Sequence, residues 1–288
     1  MKQVFPILIL VCSACLQADT QPREVATAQA STQDAAEPTK SAPPVAPDQE
    51  NALKAKSIID QGIEALGGPV YLTIRDREQQ GRGYSFHHGR ESGGGVFWSF
   101  SEFPDKERVE LTKERDIAQL YVGNKAYELT YKGARPLDQK DVDDYLRRRR
   151  FSLDMVLRTW VKDPGVVLLF EGPAIAAQHS ASQVTLINSK NESVTLYFDT
   201  DTHLPVKKSF SWRDPVDKQK NLEEEVYENY KSVSGIMAPY NVTRYFNGDM
   251  AAQRFMNSIT INQALDQAMF DPNSGYNPNK APSKQNKH

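Results

Sequence analysis

Cysteine is almost absent from this chain of 288 residues. The 2 cysteines are Cys12 and Cys15, both close to the amino terminus, so the remainder of the sequence cannot form an internal disulfide. Small exported domains often depend on disulfides for stability. We therefore expect the stability of this chain to come from a hydrophobic core, which the chain is long enough to build.

Long hydrophobic runs are missing as well. The apolar run at residues 4–11 is too short to span a bilayer, which takes about 20 residues. Lys2 precedes this run and the small residues Ser13 and Ala14 follow it. This is the layout of a secretory signal, so we predict a signal peptide at residues 1–18 and a location in the cell envelope.

The predicted signal leaves two cleavage modes open. Residues 12–15, Cys-Ser-Ala-Cys, resemble a bacterial lipobox in which Cys15 is lipidated and anchors the protein to a membrane. Residues 16–18 also suit an ordinary signal peptidase that cuts after Ala18. If Cys15 is lipidated, the Leu16 that follows it favours the outer membrane over the inner one.

Residues 19–50 contain no aromatic residue, no leucine and no isoleucine. Such a segment cannot bury enough apolar surface to offset the entropy of ordering, so we predict a flexible tether there and a similar tail at residues 273–288. One folded domain remains, at residues 51–272. The formal net charge is −2, so nothing in the charge balance points to a nucleic acid partner.

Motifs for catalysis or metal binding are scarce. His87 and His88 are adjacent, and neighbouring strand residues point to opposite faces, so we do not expect them to share a metal. The aspartates Asp199 and Asp201 lack the glycine and the final glutamate of a calcium loop and fit a tight turn better. We therefore predict a protein that is not an enzyme and has no metal or cofactor.

The hydrophobic periodicity predicts a mainly β domain. Apolar residues at helical spacing predict a helix at residues 51–66, which Gly67 and Gly68 end. Alternating apolar and polar residues then predict short strands, and Gly93-Gly94-Gly95 predicts a turn before the strand that contains Val96. The predicted strands lie near residues 96–101, 107–111, 117–122, 125–131, 166–170, 183–188, 194–198, 206–212, 224–233, 242–246 and 254–261.

A pair of helices interrupts the strands. Asp138 or Asp141 can cap a helix at residues 142–150, and Ser152 can cap a second one at residues 153–161. The elements therefore predict a meandering antiparallel sheet, one face of which the first helix and the inserted pair can cover while the other faces water. Arginines 147–150 fit two roles, either contact with anionic lipid head groups or a solvated helix face.

Three stretches resemble the superfamily of the lipoprotein carriers LolA and LolB, in its broad form of outer membrane lipoprotein-sorting proteins. Residues 55–71 are similar to its opening helix, and residues 197–210, with Leu204-Pro205 inside, are similar to a strand, a turn and a further strand. Residues 230–243 and 259–270 are similar to its closing strands. The resemblance implies an incomplete β-barrel whose concave face, lidded by helices, holds acyl chains.

This implied cavity makes the large apolar side chains of the strands and of the second inserted helix candidates for contact with a ligand. The candidates are Val96, Trp98, Phe100, Trp160, Leu186, Leu196, Phe198, Phe210 and Trp212. We expect a monomer that binds a lipid or the acyl chain of a lipoprotein. The alternative is a β-rich interaction module of an envelope complex whose own side chains fill the sheet face, which is the ordinary fate of such residues.

Overall fold

The structure is a computed structural model that describes residues 46–274. The predicted signal peptide, Cys15, most of the predicted tether and most of the predicted tail lie outside these residues. No helix in the described range has the length and apolar character needed to cross a membrane.

One antiparallel sheet contains the strands of the described range. Its order is β6-β5-β4-β3-β2-β1-β13-β12-β11-β10-β9-β8-β7, so the pairing of β1 with β13 joins two meanders in which each strand pairs with its neighbours in sequence. The strands are β1 (Asp76–His87), β2 (Arg90–Glu102), β3 (Lys106–Glu110), β4 (Ala118–Val122), β5 (Lys125–Thr130), β6 (Gly133–Pro136), β7 (Val167–Ala176), β8 (His179–Ile187), β9 (Ser193–Asp199), β10 (Pro205–Arg213), β11 (Lys220–Val233), β12 (Ile236–Phe246) and β13 (Asp249–Ile261).

Each predicted strand corresponds to an observed one, although several observed strands are longer. The periodicity missed the four-residue β6, and it missed β1, because residues 79–83 are Gln, Gln, Gly, Arg and Gly and show no apolar alternation. The predicted turn at Gly93-Gly94-Gly95 was wrong, since these residues lie inside β2 and pair with β1. Glycine indicates a turn only where the backbone needs its freedom, and here the pairing with β1 keeps it extended.

The helices agree closely with the prediction. They are α1 (Pro47–Leu66), α2 (Pro69–Leu72), α3 (Gln139–Arg150) and α4 (Leu153–Arg158), followed by single 3₁₀ turns at Trp160–Lys162 and Gln267–Phe270. The α1 helix starts at Pro47, where proline suits the first helical position, instead of at residue 51. Ser152 caps α4 as predicted, accepting a hydrogen bond from the Met155 amide at 3.3 Å.

Contacts of α3 demonstrate that the sheet is strongly curved. Tyr145 donates a hydrogen bond to Glu107 on β3 at 2.8 Å, and Arg147, two residues later, donates one to Glu223 on β11 at 3.2 Å. In the strand order, β3 and β11 are five steps apart, which is about 24 Å across a flat sheet. Side chains two residues apart on one helix reach both strands only because the sheet wraps around the helix. The face that carries α3 is therefore the concave face.

The main core lies between this concave face and the helices. α1 packs against β7, β8 and β12, and Gly62 permits close approach, since a Cβ atom there would lie 2.3 Å from the Phe198 ring. Phe151, which follows α3, stacks on Phe210 with ring centroids 4.2 Å apart. The predicted architecture of an unclosed, curved antiparallel sheet with helices on its concave face is therefore confirmed.

A smaller core lies on the convex face. Phe100, Leu120 and Leu129 are buried there beneath Phe270 from the carboxyl-terminal 3₁₀ turn. Arg108 donates a hydrogen bond to the Met269 carbonyl at 3.2 Å, which fixes that turn against β3. The segment after β13 thus covers the convex side of β2 to β5.

Candidate ligand-binding surface on the concave face

The predicted contact residues on strands β8 to β10 and on the turn after α4 are core residues. Trp160, Leu186, Leu196, Phe198 and Phe210 are each at most 4% exposed and belong to the one cluster beneath the helices. Trp212 is half-buried and packs against the same cluster. The structure therefore brings these six side chains together, but it uses them to support α1 and α4.

The three predicted contact residues on β2 lie on the other face of the sheet. Trp98 and Phe100 pack in the convex cluster, and Val96 shares their side through the alternation of the strand. Phe97, which belongs to the core beneath the helices, occupies the concave side instead. An alternating strand reveals which residues share a face, but both faces of β2 carry aromatic side chains, so the pattern does not reveal which face is concave.

The concave face has a stretch without side chains, where β1 and β2 pair. Gly83 lies opposite Gly95, and Gly81 lies opposite Phe97. We call Gly81, Gly83 and Gly95 the glycine floor. A Cβ atom built on Gly95 would have one neighbour within 4 Å, the Leu111 carbonyl oxygen at 3.9 Å, so the space above this residue is open. Glycines inside a strand mark a bulge, or a place where a ligand or another backbone approaches closely. Gly81 lies at the bulge against β13, where a Cβ atom would be 2.1 Å from the Phe255 carbonyl oxygen, whereas Gly83 and Gly95 have no backbone so near.

Apolar side chains border the glycine floor. A Cβ atom on Gly83 would lie 3.6 Å from the Phe97 ring, and Met256 pairs with Gly81 from β13. Leu111 follows β3 on its concave side and is 42% exposed. The Leu111 amide donates a hydrogen bond to the carbonyl of Ile117, which is 37% exposed. The floor and its borders therefore form a shallow apolar surface that the described helices leave partly uncovered.

Three arginines lie at one side of this surface. Arg244 on β12 pairs with Ala252 on β13, and Arg254 on β13 pairs with Val242 on β12. Paired residues, and residues two apart on a strand, lie on one face of a sheet, so both arginines lie on the concave face. The positive charge of Arg148, on α3, also acts on Arg244, so Arg148 lies near it. Burial lowers the pKa of Arg244, and the positive charges of Arg148 and Arg254 lower it further, against the opposing effect of nearby carboxylates. We call these three residues the arginine trio.

The carboxylates beside the arginine trio are already engaged. The Glu223 side chain is about 2% exposed, and its Oε1 accepts hydrogen bonds from Arg147 at 3.2 Å and from the Trp212 indole at 3.0 Å. Its Oε2 has no hydrogen-bond partner among the described residues, although Arg244 Nη1 approaches to 3.8 Å.

The second carboxylate, Glu225, pairs with a buried lysine. Lys208 is fully buried, and its Nζ lies 2.9 Å from Glu225 Oε2, an ion pair whose angle falls outside hydrogen-bond geometry. Tyr227 donates a hydrogen bond to Glu225 at 2.7 Å. Burial opposes ionisation of the carboxyl, but Lys208 and Tyr227 overcome that effect and hold the pKa of Glu225 at about 2.

The other arginines of α3 fix the helix to the sheet. Arg147 lies 3.4 Å over the Trp212 ring, and Arg149 donates a hydrogen bond to the Asp105 carbonyl at 3.1 Å. Arg150 pairs with Glu192 at 3.1 Å. Three of the four arginines at residues 147–150 are therefore bonded across the concavity, so the run is not simply a solvated helix face.

The histidine pair lies at the turn between β1 and β2. His87 ends β1 and His88 begins the turn, and their ring centroids are 4.2 Å apart, because the positive φ of His88 turns the two side chains together. The prediction that the two side chains point to opposite faces was therefore wrong. No group of three or more metal-binding side chains occurs within residues 46–274.

The predicted tight turn at Asp199 is present. Its carboxylate accepts hydrogen bonds from the amides of Asp201 and Thr202, at 3.0 and 2.7 Å, and lies 2.8 Å from His179 Nδ1. Elsewhere, a shallow cavity of about 250 Å³ lies between residues 129–134 and 272–274. It is smaller than a typical ligand pocket of at least about 300 Å³.

The fold and this surface define a class: an unclosed antiparallel sheet that wraps helices on its concave face. Solved structures share the fold. A DUF1329 family protein from Desulfovibrio piger matches with a TM-score of 0.52 at 10% identity, covering 75% of this chain and 97% of that one. An outer membrane lipoprotein-sorting protein domain from Vibrio parahaemolyticus matches with a TM-score of 0.52 at 10% identity, covering 77% and 98%.

A LolA superfamily protein from Nitrosomonas europaea also matches, with a TM-score of 0.46 at 14% identity, over 75% of this chain and 97% of that one. The fold is thus the one that the resemblance to the lipoprotein-sorting superfamily implied, and that prediction is confirmed. No protein-family model and no curated protein matches the sequence.

Proposed function

We propose that this protein is a non-catalytic binding protein of the bacterial cell envelope, which holds the acyl chain of a lipid or lipoprotein on its concave face. The observation that supports this proposal most directly is the glycine floor, where the concave face lacks side chains beside the exposed Leu111 and Ile117. The shared fold with a lipoprotein-sorting domain supports the same function. The predicted signal peptide would export the chain, and a lipid on Cys15 would anchor it.

The residues that we propose as contacts differ from the candidates that the sequence suggested. We propose Phe97, Met256 and Leu111, around Gly83 and Gly95, as the residues that meet the acyl chain. An acyl chain gains about 0.8 kcal/mol for each methylene that leaves water, so a few methylenes on this surface provide measurable affinity. Trp160, Leu186, Leu196, Phe198, Phe210 and Trp212 would support this surface from the core beneath the helices.

Substitution of Gly95 by leucine tests the proposal. The new side chain has room, because a Cβ atom at this position meets only the Leu111 carbonyl oxygen at 3.9 Å, and it fills the space above the floor. We expect Gly95→Leu to weaken binding of the uncharged probe N-phenyl-1-naphthylamine by about tenfold or more, since the new side chain takes the place of apolar ring surface that the probe would bury there. The measurement is a fluorescence titration, accompanied by thermal unfolding to verify the fold.

Val96→Leu is the matched control, since residue 96 is adjacent on β2 and points to the convex face. It should leave binding of the probe unchanged. Equal binding by the wild type and Gly95→Leu would contradict the proposed surface.

The alternative function is a β-rich interaction module of an envelope complex. One observation favours it: six of the nine predicted contact residues are at most 4% exposed and serve as core. This alternative expects no binding of the uncharged probe by the wild type at micromolar protein concentrations. The same titration therefore separates the two functions.

A further inference from the structure

The contacts of the arginine trio within residues 46–274 show no role for it in stabilising the fold. Within residues 46–274, none of Arg148, Arg244 and Arg254 donates a hydrogen bond, and the one ion pair among them is the long contact of 3.8 Å from Arg244 to Glu223. Neighbouring arginines behave differently, since Arg147 and Arg149 both donate hydrogen bonds to the sheet. Three like charges that face one another without hydrogen-bond acceptors destabilise the protein.

The nearby carboxylates relieve this repulsion only in part, since Glu223 and Glu225 oppose the effect of the other two arginines on Arg244 without accepting a hydrogen bond from any of the trio. Glu223 Oε1 is occupied by Arg147 and Trp212, and Glu225 is occupied by Lys208 and Tyr227. The Arg244 side chain is 29% exposed and Arg254 is exposed, so both are accessible from the concave side. A guanidinium group matches the geometry of a phosphate, which accepts paired hydrogen bonds from arginine.

The position of the trio relates it to the glycine floor. Arg254 pairs with Gly83 across β1 and β13, and its Cγ atom would lie 3.9 Å from a Cβ atom on that glycine. An acyl chain that lies over Gly83 and Gly95 would thus place a group attached to its end beside the three guanidinium groups.

We propose that the arginine trio binds the phosphate of an anionic amphiphile whose acyl chain lies on the glycine floor. This inference rests on the proposed function and names the chemical class of its ligand. It also gives a function to the hydrogen bonds of Arg147 and Arg149, which fix α3 to the sheet and so hold Arg148 over the concavity. The protein would then prefer phosphate-bearing lipids to uncharged lipids with the same chain.

Two lipids that differ only in the phosphate test this preference. We would titrate oleoyl lysophosphatidic acid and monoolein against the protein, by displacement of N-phenyl-1-naphthylamine at one fixed salt concentration. Lysophosphatidic acid should bind at least about tenfold more tightly, the factor that roughly 1.4 kcal/mol produces in a dissociation constant. Equal affinities for the two lipids would overturn the inference.

Single substitutions identify the residues that cause the preference. Arg148→Gln, Arg244→Gln and Arg254→Gln should each weaken lysophosphatidic acid severalfold and leave monoolein unchanged. Arg82→Gln is the matched control, because Arg82 is an exposed arginine on the convex side of β1. If all three variants bind lysophosphatidic acid as the wild type does, the trio is not the phosphate site.

Further outcomes distinguish the two proposals and the source of the phosphate. If the wild type takes up neither the probe nor the lipids, the proposed function itself fails. If both lipids bind equally, the function stands and only the phosphate site fails. Inorganic phosphate, titrated alone by calorimetry, should bind far more weakly than lysophosphatidic acid. Comparable affinity would mean that the trio binds a free anion, which would overturn the lipid part of the inference.

Discussion

At the scale of single residues, the unusual feature of this protein is a lysine in its interior. Lys208 is fully buried on β10, and its one close anionic neighbour in the described range is Glu225. Such a pair does little for net stability compared with an apolar pair, but removal of one partner leaves a charge without compensation. The sequence showed nothing of this, because two lysines, 207 and 208, stand side by side and only the strand's orientation decides which one is buried.

The substitution Lys208→Met tests the importance of this pair. We expect it to lower the free energy of unfolding by about 3 kcal/mol, since Glu225 then remains largely buried without its cation. Urea unfolding followed by tryptophan fluorescence measures the change. The double variant Lys208→Met, Glu225→Gln should recover much of the loss, whereas Lys207→Met, on the convex face, should cost less than about 1 kcal/mol.

At the scale of elements, α3 acts as a brace across the concavity. Tyr145 joins it to β3, Arg147 joins it to β11, and Tyr121 on β4 stacks on Tyr145 with ring centroids 3.6 Å apart. Burial and the neighbouring charge of Glu107 raise the pKa of Tyr145 well above the ordinary value, so its hydroxyl stays a donor at every ordinary pH. The curvature of the sheet and the placement of Arg148 both depend on this brace.

Removal of Arg147 should loosen the brace on one side. We expect Arg147→Ala to cost about 2–4 kcal/mol, because it leaves the buried Glu223 carboxylate without its close cation and uncovers Trp212. Hydrogen exchange should increase within residues 139–150 while β8 to β10 stay protected. The control Arg150→Ala removes an ion pair whose arginine is about half exposed, and unchanged exchange in both variants would contradict the role of α3.

At the scale of the whole molecule, two largely buried carboxylates pair with cations on neighbouring elements. Asp154 on α4 pairs with Arg77 on β1 at 3.0 Å, and Glu225 pairs with Lys208. Burial opposes ionisation at both places, but Arg77 lowers the pKa of Asp154 and Lys208 lowers that of Glu225. The folded protein therefore binds protons at these groups less readily than the unfolded chain does.

The direction of the pH dependence follows from these shifts. Because the pKa values are lower in the folded state, their contribution is complete above the ordinary carboxyl values and is lost as the pH falls from about 4.5 towards 2. Glu225 alone contributes a slope of at most about 1.4 kcal/mol per pH unit in this window. Urea midpoints measured from pH 7 to pH 2.5 should show the decline, and Glu225→Gln should make it shallower. An equally steep decline in that variant would exclude Glu225 as a cause.

Most of the elements were predictable from the sequence, because each depends on a local pattern. Ser152 caps α4 as its position before the helix predicts, and the Gly123-Asn124 turn between β4 and β5 follows from the residues that such turns require. The strands that alternate apolar and polar residues were found, whereas β1 was missed because its concave positions are glycine and glutamine. The feature that hid β1 from the pattern is the glycine floor.

The sequence by itself determined the class of the fold and the main core, since hydrophobic periodicity and capping are local and repeat along the chain. Only the tertiary structure decided which face of β2 is concave, why Arg148 is left unbonded while Arg147 is not, and which large side chains are core. These features depend on which strands the curvature of the sheet brings opposite each other. Arg147 and Glu223, for example, are 76 residues apart, and a contact between residues so distant leaves no local pattern in the sequence.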